Sequence, residues 1–235
     1  MLQFIAWTSI AIAFACAGIV LIDVACRPQK MWIMNIVWPV TCLYLGAFAL
    51  WGYMRYGRIM SRIMMEQQQK KSKPRRSGEG RNVPKEAAWH QIAIATSHCG
   101  AGCALADIVT EFTVFALGLT ILGIELWASF LWDFVAAWSL GIVFQYFTIK
   151  PMRDLTPMQG IRAAIKADTL SILAFQVGMY AWMALVFFKL FPSPHLHPNQ
   201  PEYWLMMQVG MALGFATSFP MNRWLVARGW KDAMG

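Results

Sequence analysis

The chain has 235 residues, of which 58% are hydrophobic and 14% are charged. Soluble globular domains contain about 25% charged residues, so this composition argues against a soluble domain and predicts a membrane protein. The net charge of +8 does not predict nucleic-acid binding, because the basic residues lie between apolar stretches and not among exposed aromatic residues on a soluble module.

Six apolar stretches are long enough to cross a bilayer, which takes about 20 mostly apolar residues in a helix. The first stretch has no Lys or Arg before Arg27, so it lacks the basic start of a cleavable signal peptide and is predicted to remain as a membrane helix. The second contains Pro39, which predicts a kink. The six stretches are residues 2–25, 31–53, 89–124, 127–149, 169–191 and 203–224.

Polar segments separate these stretches. Residues 55–85 hold ten Lys or Arg, and their middle, residues 70–84, is predicted to be a solvated, flexible loop. The third stretch is too long for one simple span, so its beginning is expected to be an interfacial or protein-buried approach, either a bent helix or a re-entrant turn. Residues 151–166 predict a short amphipathic helix on the membrane surface, and residues 192–202, with four prolines, predict a turn-rich loop.

The distribution of basic residues predicts the orientation in the membrane. With the N-terminus in the cytoplasm, the cytoplasmic segments hold ten, four and three Lys or Arg, and the opposite face holds three. We therefore predict an all-α, polytopic bundle of six transmembrane helices in the inner (plasma) membrane, with both termini in the cytoplasm. It comprises an N-terminal hairpin (residues 1–54), a basic cytoplasmic loop (residues 55–88) and a four-helix membrane domain (residues 89–235).

The third stretch carries the residues that point to a function. Residues 98–103 read His-Cys-Gly-Ala-Gly-Cys, and Cys99, Cys103, Asp107 and Glu111 recur at intervals of four. On a helix these four residues form one stripe. Two thiols one turn apart can share a soft ion such as Cu(I) or Zn(II), and acidic groups at membrane depth suit a path for a cation or a proton.

His98 precedes this stripe and is rotated by about 100° from Cys99 on a regular helix. It joins the same ion only where the backbone departs from helix geometry, which Gly100 and Gly102 would permit. We predict that the protein binds or transports a cation, with copper or zinc as the expected metal. The predicted ligands are His98, Cys99, Cys103, Asp107 and Glu111.

Three other interpretations of this segment stay open. Its many Gly and Ala residues allow close helix packing, so the protein could be a scaffold or subunit that binds another membrane protein or a second copy of itself. Asp107 and Glu111 could form a hydrogen-bonded pair that locks helices together. Cys99 and Cys103 could cycle as a thiol redox pair.

Other polar residues are further candidates. Asp133 lies near the outer end of the fourth stretch. Asp168 is predicted at the depth of His98, where a helix cap is the favoured role and an extra ligand or counter-charge the alternative. His195 and His197 could bind a metal together, but the prolines around them favour an ordinary surface loop. The chain has no Gly-rich phosphate loop and no GxSxG or HExxH motif, so no enzyme of these classes is predicted.

Residues 97–111 resemble the central motif of a prokaryotic family of uncharacterised membrane proteins, a domain of unknown function. Residues 216–231 resemble the end of the same domain. The resemblance covers residues 88–235 and leaves the first two predicted helices outside. It implies no activity, and it implies that the family's signature positions are His98, Cys99, Cys103, Asp107 and Glu111.

Overall fold

The computed structural model describes residues 1–29, 31–60, 88–149 and 156–231. These residues contain seven α-helices, and one π-helical turn (Tyr53–Gly57) follows the third helix while another (Val186–Leu190) follows the sixth. The helices are α1 (Leu2–Cys26), α2 (Met34–Leu45), α3 (Ala47–Gly52), α4 (Trp89–Leu117), α5 (Glu125–Ile149), α6 (Pro157–Leu185) and α7 (Pro201–Ala227).

Four helical segments within the described residues are long and apolar enough to cross a membrane. They belong to α1, α4, α5 and α6, and they agree with the predicted all-α class. The predicted second and sixth crossings are not among these four segments. α2 is apolar but has only 12 residues, and α7, although 27 residues long, is not among the four. The four segments are Leu2–Cys26, Trp89–Leu117, Glu125–Phe147 and Pro157–Leu190.

The second apolar stretch is interrupted at Gly46 and not at Pro39. α2 contains Pro39 and continues for six further residues to Leu45. Gly46 then adopts a φ of +53°, a backbone conformation that glycine reaches without the clash that a Cβ would cause. α3 begins directly after it. The structure thus adds a helix break at Gly46, and the kink at Pro39 stays a prediction.

α4 is one helix of 29 residues, and most of its first half is buried by protein. Of the two forms expected for the start of this segment, the structure shows the helix and not a re-entrant turn. The helix ends at Gly118, which has a φ of +60°. The Leu119 N–H donates to the Val114 carbonyl at 3.0 Å, which is the bond of a Schellman motif.

The separate surface helix predicted at residues 151–166 is wrong for the part that the structure describes. Residues 157–166 form the first turns of α6, which continues without a break to Leu185. Thr156 precedes the helix, and Pro157 takes the first position, where its missing N–H costs no helical hydrogen bond. Most of the predicted basic loop, residues 61–87, lies outside the described residues.

α4 occupies the centre of the bundle. It packs against α2, α5, α6 and α7, and 56% of its apolar window is buried, compared with 28% for α1. α1 packs on α2 and α7 and leaves large side chains such as Phe4 and Phe14 exposed, as expected for a helix that faces lipid. Residues on the inward face of α4 therefore have protein neighbours on several helices.

Glycines let α4 and α5 approach closely. A Cβ added to Gly102 would lie 3.6 Å from the Cα of Gly141, so the two backbones are almost in contact. Small residues allow this kind of packing between apolar helices. Part of the Gly/Ala-rich segment thus serves packing within the chain.

Candidate functional site

The stripe on α4 lies entirely inside the bundle. Cys99, Cys103 and Asp107 are 0% exposed, and Glu111 is 4% exposed. Their spacing of four residues places them on one face of the helix, one turn after another. We call the Cys99 end of this stripe its inner end and the Glu111 end its outer end. A line of thiols and then carboxyl groups therefore runs along the central helix of the fold.

A third acidic residue joins the outer half of the stripe. Asp133 of α5 is 1% exposed and accepts a hydrogen bond from the hydroxyl group of Thr110 on α4. The Ser129 hydroxyl group, one turn earlier on α5, donates to Glu111 Oε2 at 2.9 Å. We refer to Asp107, Glu111 and Asp133 as the carboxyl cluster. Helices α4 and α5 bring it together, and the sequence alone did not join Asp133 to the stripe.

The carboxyl cluster is poorly compensated. Both side-chain oxygens of Asp107 and the Oδ2 atom of Asp133 are buried and accept no hydrogen bond from the described residues. Within the same part of the chain, no Lys or Arg forms an ion pair with any of the three carboxyl groups. Burial of an unpaired charge is costly, so these groups need protons or a bound cation.

Two more helices contribute polar groups to the cluster. The amide group of Gln176 on α6 is buried beside Asp107, and the phenol group of Tyr203 on α7 lies against Glu111. Tyr180 of α6 donates its hydroxyl hydrogen to the Phe130 carbonyl oxygen at 2.7 Å. The cluster is therefore enclosed by α4, α5, α6 and α7 together.

A cavity of about 500 Å³ reaches the outer end of the stripe. Glu111, Ser129 and Tyr203 lie on its inner wall, and the segments that join α4 to α5 and α6 to α7 form its mouth. Of the three residues in the carboxyl cluster, Glu111 therefore lies on the cavity wall. Its mouth carries Glu125 and His197.

The two histidines of the predicted His-x-His pair have different partners. His195 stacks on Phe187 with ring centroids 3.7 Å apart, and its Nδ1 atom lies 3.0 Å from the Phe191 carbonyl oxygen. His197 places its Nδ1 atom 3.7 Å from Glu125 Oε2. Both residues line the cavity, so their loop is part of the mouth.

The inner end of the stripe adjoins a buried ion pair. His98 is 0% exposed and lies against Phe144, with ring centroids 5.8 Å apart. Lys231 Nζ lies 2.8 Å from Asp168 Oδ1. The favoured sequence interpretation of Asp168 as a helix cap is wrong, because the residue lies well inside α6. It is a counter-charge, and its partner is the lysine that follows α7.

The five predicted ligands do not meet at one point. Among the residues that the structure describes, no three His, Cys, Asp or Glu side chains are placed to hold one metal ion together. The reason is that α4 stays helical through Gly100 and Gly102, so His98 keeps its rotation away from the thiols. Cys99 and Cys103 remain neighbours on one face of the helix, one turn apart. Two thiols are enough for a two-coordinate soft ion such as Cu(I).

The regular helix also bears on the thiol redox interpretation. Residues four apart on a helix have Cβ atoms about 5–6 Å apart. A disulfide requires Cβ atoms about 3.5–4.5 Å apart. Oxidation of Cys99 and Cys103 to a disulfide would therefore distort the central helix of the bundle, which disfavours a redox cycle.

Sequence reasoning missed several residues around the stripe. Ser129, Tyr203 and Lys231 each contact a stripe residue or Asp168 from another helix or turn, across long sequence separations. No spacing rule connects them to α4. The sequence contained one indication that such partners exist. Asp133 and Asp168 are acidic residues in apolar segments, and acidic residues seldom lie there without a partner.

The comparisons with known proteins identify one family. Residues 88–231 match DUF4396, a domain of unknown function. This agrees with the resemblance to an uncharacterised family and with its range, which begins after the N-terminal hairpin. Neither a curated protein nor a solved structure matches the chain.

Proposed function

We propose that this chain, which belongs to the DUF4396 family of domains of unknown function, is a multi-pass membrane protein that binds a cation and passes it along the stripe of α4. The observation that carries the proposal is the buried carboxyl cluster at the end of a cavity. Three acidic side chains lie inside an apolar bundle without a basic partner among the described residues. In proteins that cross membranes, such groups mark ion or proton paths.

The arrangement supports a path and not only a static site. The cavity admits an ion as far as Glu111, and Asp107 lies one helical turn deeper. Cys103 and Cys99 continue the line by two further turns. Each step along the helix is about 6 Å, which is a short distance for an ion that moves between neighbouring ligands.

The two thiol groups of the stripe indicate which cation the protein would select. Thiolates favour soft ions, so Cu(I) and Zn(II) are the substrates that Cys99 and Cys103 fit best. Carboxylates alone would accept a proton or a hard ion equally well. We therefore propose copper or zinc as the cargo, with the carboxyl cluster as the compensating charge. The excess of basic residues on one side supports an orientation with both termini in the cytoplasm, and we propose the inner (plasma) membrane as the location.

The test is metal uptake by the purified protein in liposomes that contain a dye sensitive to Cu(I) or Zn(II). The variant Cys99→Ser/Cys103→Ser removes both thiols of the stripe. Its matched control is Cys16→Ser/Cys42→Ser, which removes two cysteines that are also buried but lie on α1 and α2. We expect uptake by the wild type and by the control, and loss of uptake in the stripe variant.

Elemental analysis of the same three proteins, purified under reducing conditions, tests binding separately from movement. We expect close to one metal ion per wild-type chain and none in the stripe variant. A pH-sensitive dye in parallel liposomes reports proton flux. Proton flux without metal uptake would replace the metal with a proton as the cargo, and the absence of both fluxes with no bound metal would overturn the proposal.

A further inference from the structure

The inner end of the stripe meets a lysine that is inserted into the bundle. Lys231 Nζ donates to Asp168 Oδ1 at 2.8 Å, and both side chains are 0% exposed. Lysine is seldom buried so completely, because removal of an ammonium group from water is costly unless a carboxylate pairs with it. The position of Lys231 therefore depends on Asp168.

A turn after α7 places this lysine. α7 ends at Ala227, and Gly229 has a φ of +68°, which reverses the chain. The Trp230 N–H then donates to the Leu225 carbonyl oxygen at 2.9 Å. The Lys166 ammonium group lies 4.4 Å from the Trp230 ring centre. The contact between Trp230 and Lys166 thus holds the turn against α6, while the Lys231 side chain points into the bundle.

The Asp168 carboxylate can bind another group besides the Lys231 ammonium group. Its Oδ2 atom is buried and accepts no hydrogen bond from the described part of the chain. The position that a Cβ would take on Gly141 of α5 lies 2.9 Å from Asp168 Oδ2, and Gly141 packs on Gly102, the residue before Cys103. The Lys231 ammonium group lies near enough to His98 for its charge to act on the imidazole ring. The ion pair therefore stands where the stripe of α4 reaches its inner end.

We propose that Asp168 is a further cation site at the inner end of the path and that the Lys231 ammonium group is its tethered occupant. This inference rests on the proposed function, because it assigns the next site along the same path. A cation that arrives from the thiols meets a carboxylate that already holds a positive charge. It can bind Asp168 only when Lys231 withdraws, so the turn after α7 closes the inner end.

The first experiment removes the tethered charge. Lys231→Met keeps a side chain of similar length without the ammonium group. Lys189→Met is the matched control, since it removes an exposed lysine that forms no ion pair with Asp168. The probe is Zn²⁺ alone, titrated into detergent-purified protein. If the ammonium group occupies the carboxylate about nine-tenths of the time, Lys231→Met should bind Zn²⁺ about tenfold more tightly. The double variant Lys231→Met/Asp168→Asn should lose this gain.

A second measurement uses the wild type and does not depend on how well a variant folds. An amine-acetylating reagent that crosses membranes is added with and without Zn²⁺, and modified lysines are identified by mass spectrometry. Zn²⁺ should increase the acetylation of Lys231 at least several-fold and leave that of the exposed Lys189 unchanged. Unchanged acetylation of Lys231, or unchanged Zn²⁺ affinity in a folded Lys231→Met protein, would overturn the inference.

These results separate the inner site from the proposed function. Tighter Zn²⁺ binding by Lys231→Met with no uptake by any protein in liposomes would support the site while the transport proposal fails. Wild-type uptake that Lys231→Met neither accelerates nor changes in affinity would leave transport standing and show that the ion pair only fastens α6 to the turn after α7.

Discussion

Gly214 of α7 faces Phe175 of α6 so closely that no side chain fits between them. A Cβ at position 214 would lie 2.7 Å from the Phe175 carbonyl oxygen and 2.9 Å from its ring. The ring is 0% exposed, and its far edge packs over Gly100 of α4 and against the ring of Tyr44, so it cannot move outward into solvent. We therefore expect Gly214→Ala to push α6 and α7 apart and to disturb the stripe as well.

The magnitude follows from two opposing effects. Overpacking of a filled interior costs about 1–3 kcal/mol, whereas replacement of glycine by alanine within a helix contributes about 1 kcal/mol. Gly18→Ala in α1 isolates the second effect, since a Cβ there has nothing within 4 Å. The two variants should differ by about 1–3 kcal/mol in the free energy of unfolding. For a chain of this size that corresponds to melting temperatures about 2–12 °C apart.

The assay is thermal unfolding of both variants and the wild type in one detergent, followed by circular dichroism and by tryptophan fluorescence. Gly214→Ala should melt at or below the wild type, and Gly18→Ala above it. If Gly214→Ala melts as high as Gly18→Ala, the close approach of α6 and α7 and the wedged position of Phe175 are wrong.

Two further substitutions test the carboxyl cluster and the end of the central helix. Asp107→Asn should abolish metal uptake and raise the melting temperature, because it removes a buried carboxyl group that accepts no hydrogen bond from the described residues. The control Asp23→Asn should lower the melting temperature, because the Asp23 carboxyl group pairs with Arg58. A melting temperature for Asp107→Asn below that of the wild type would count against the carboxyl cluster. Gly118→Ala should lower the free energy of unfolding by about 1–2 kcal/mol, since position 118 has a φ of +60°. The control Gly52→Ala should not lower it, because position 52 is helical and the added Cβ has nothing within 4 Å. Equal stability of the two variants would refute the left-handed end of α4.

Local chemistry determined much of what the sequence predicted. Long apolar stretches form helices because each backbone group finds its partner within the helix, and composition alone shows this. The spacing of Cys99, Cys103, Asp107 and Glu111 is by itself enough to place them on one face of a helix. The resemblance of residues 97–111 to an uncharacterised family likewise agreed with the match over residues 88–231.

Boundaries within apolar segments were harder to predict. Pro39 and Gly46 can each interrupt a helix, and the choice between them depends on the packing around both. The first turns of α6 are amphipathic, so their pattern suits a separate surface helix as well as the polar start of a longer one. Sequence patterns describe the faces of a helix but not where neighbouring helices begin.

Only the tertiary structure decided which polar groups meet. Asp133 joins Asp107 and Glu111 because α5 lies against α4, and Lys231 reaches Asp168 across 63 positions because a turn after α7 folds back into the bundle. These helices are apolar on nearly all sides, so their patterns leave open how each rotates about its axis and which neighbours it takes. Close contacts between glycines, such as Gly102 on Gly141, set the rotation of each helix about its axis. That rotation then determines which residues the buried charges meet.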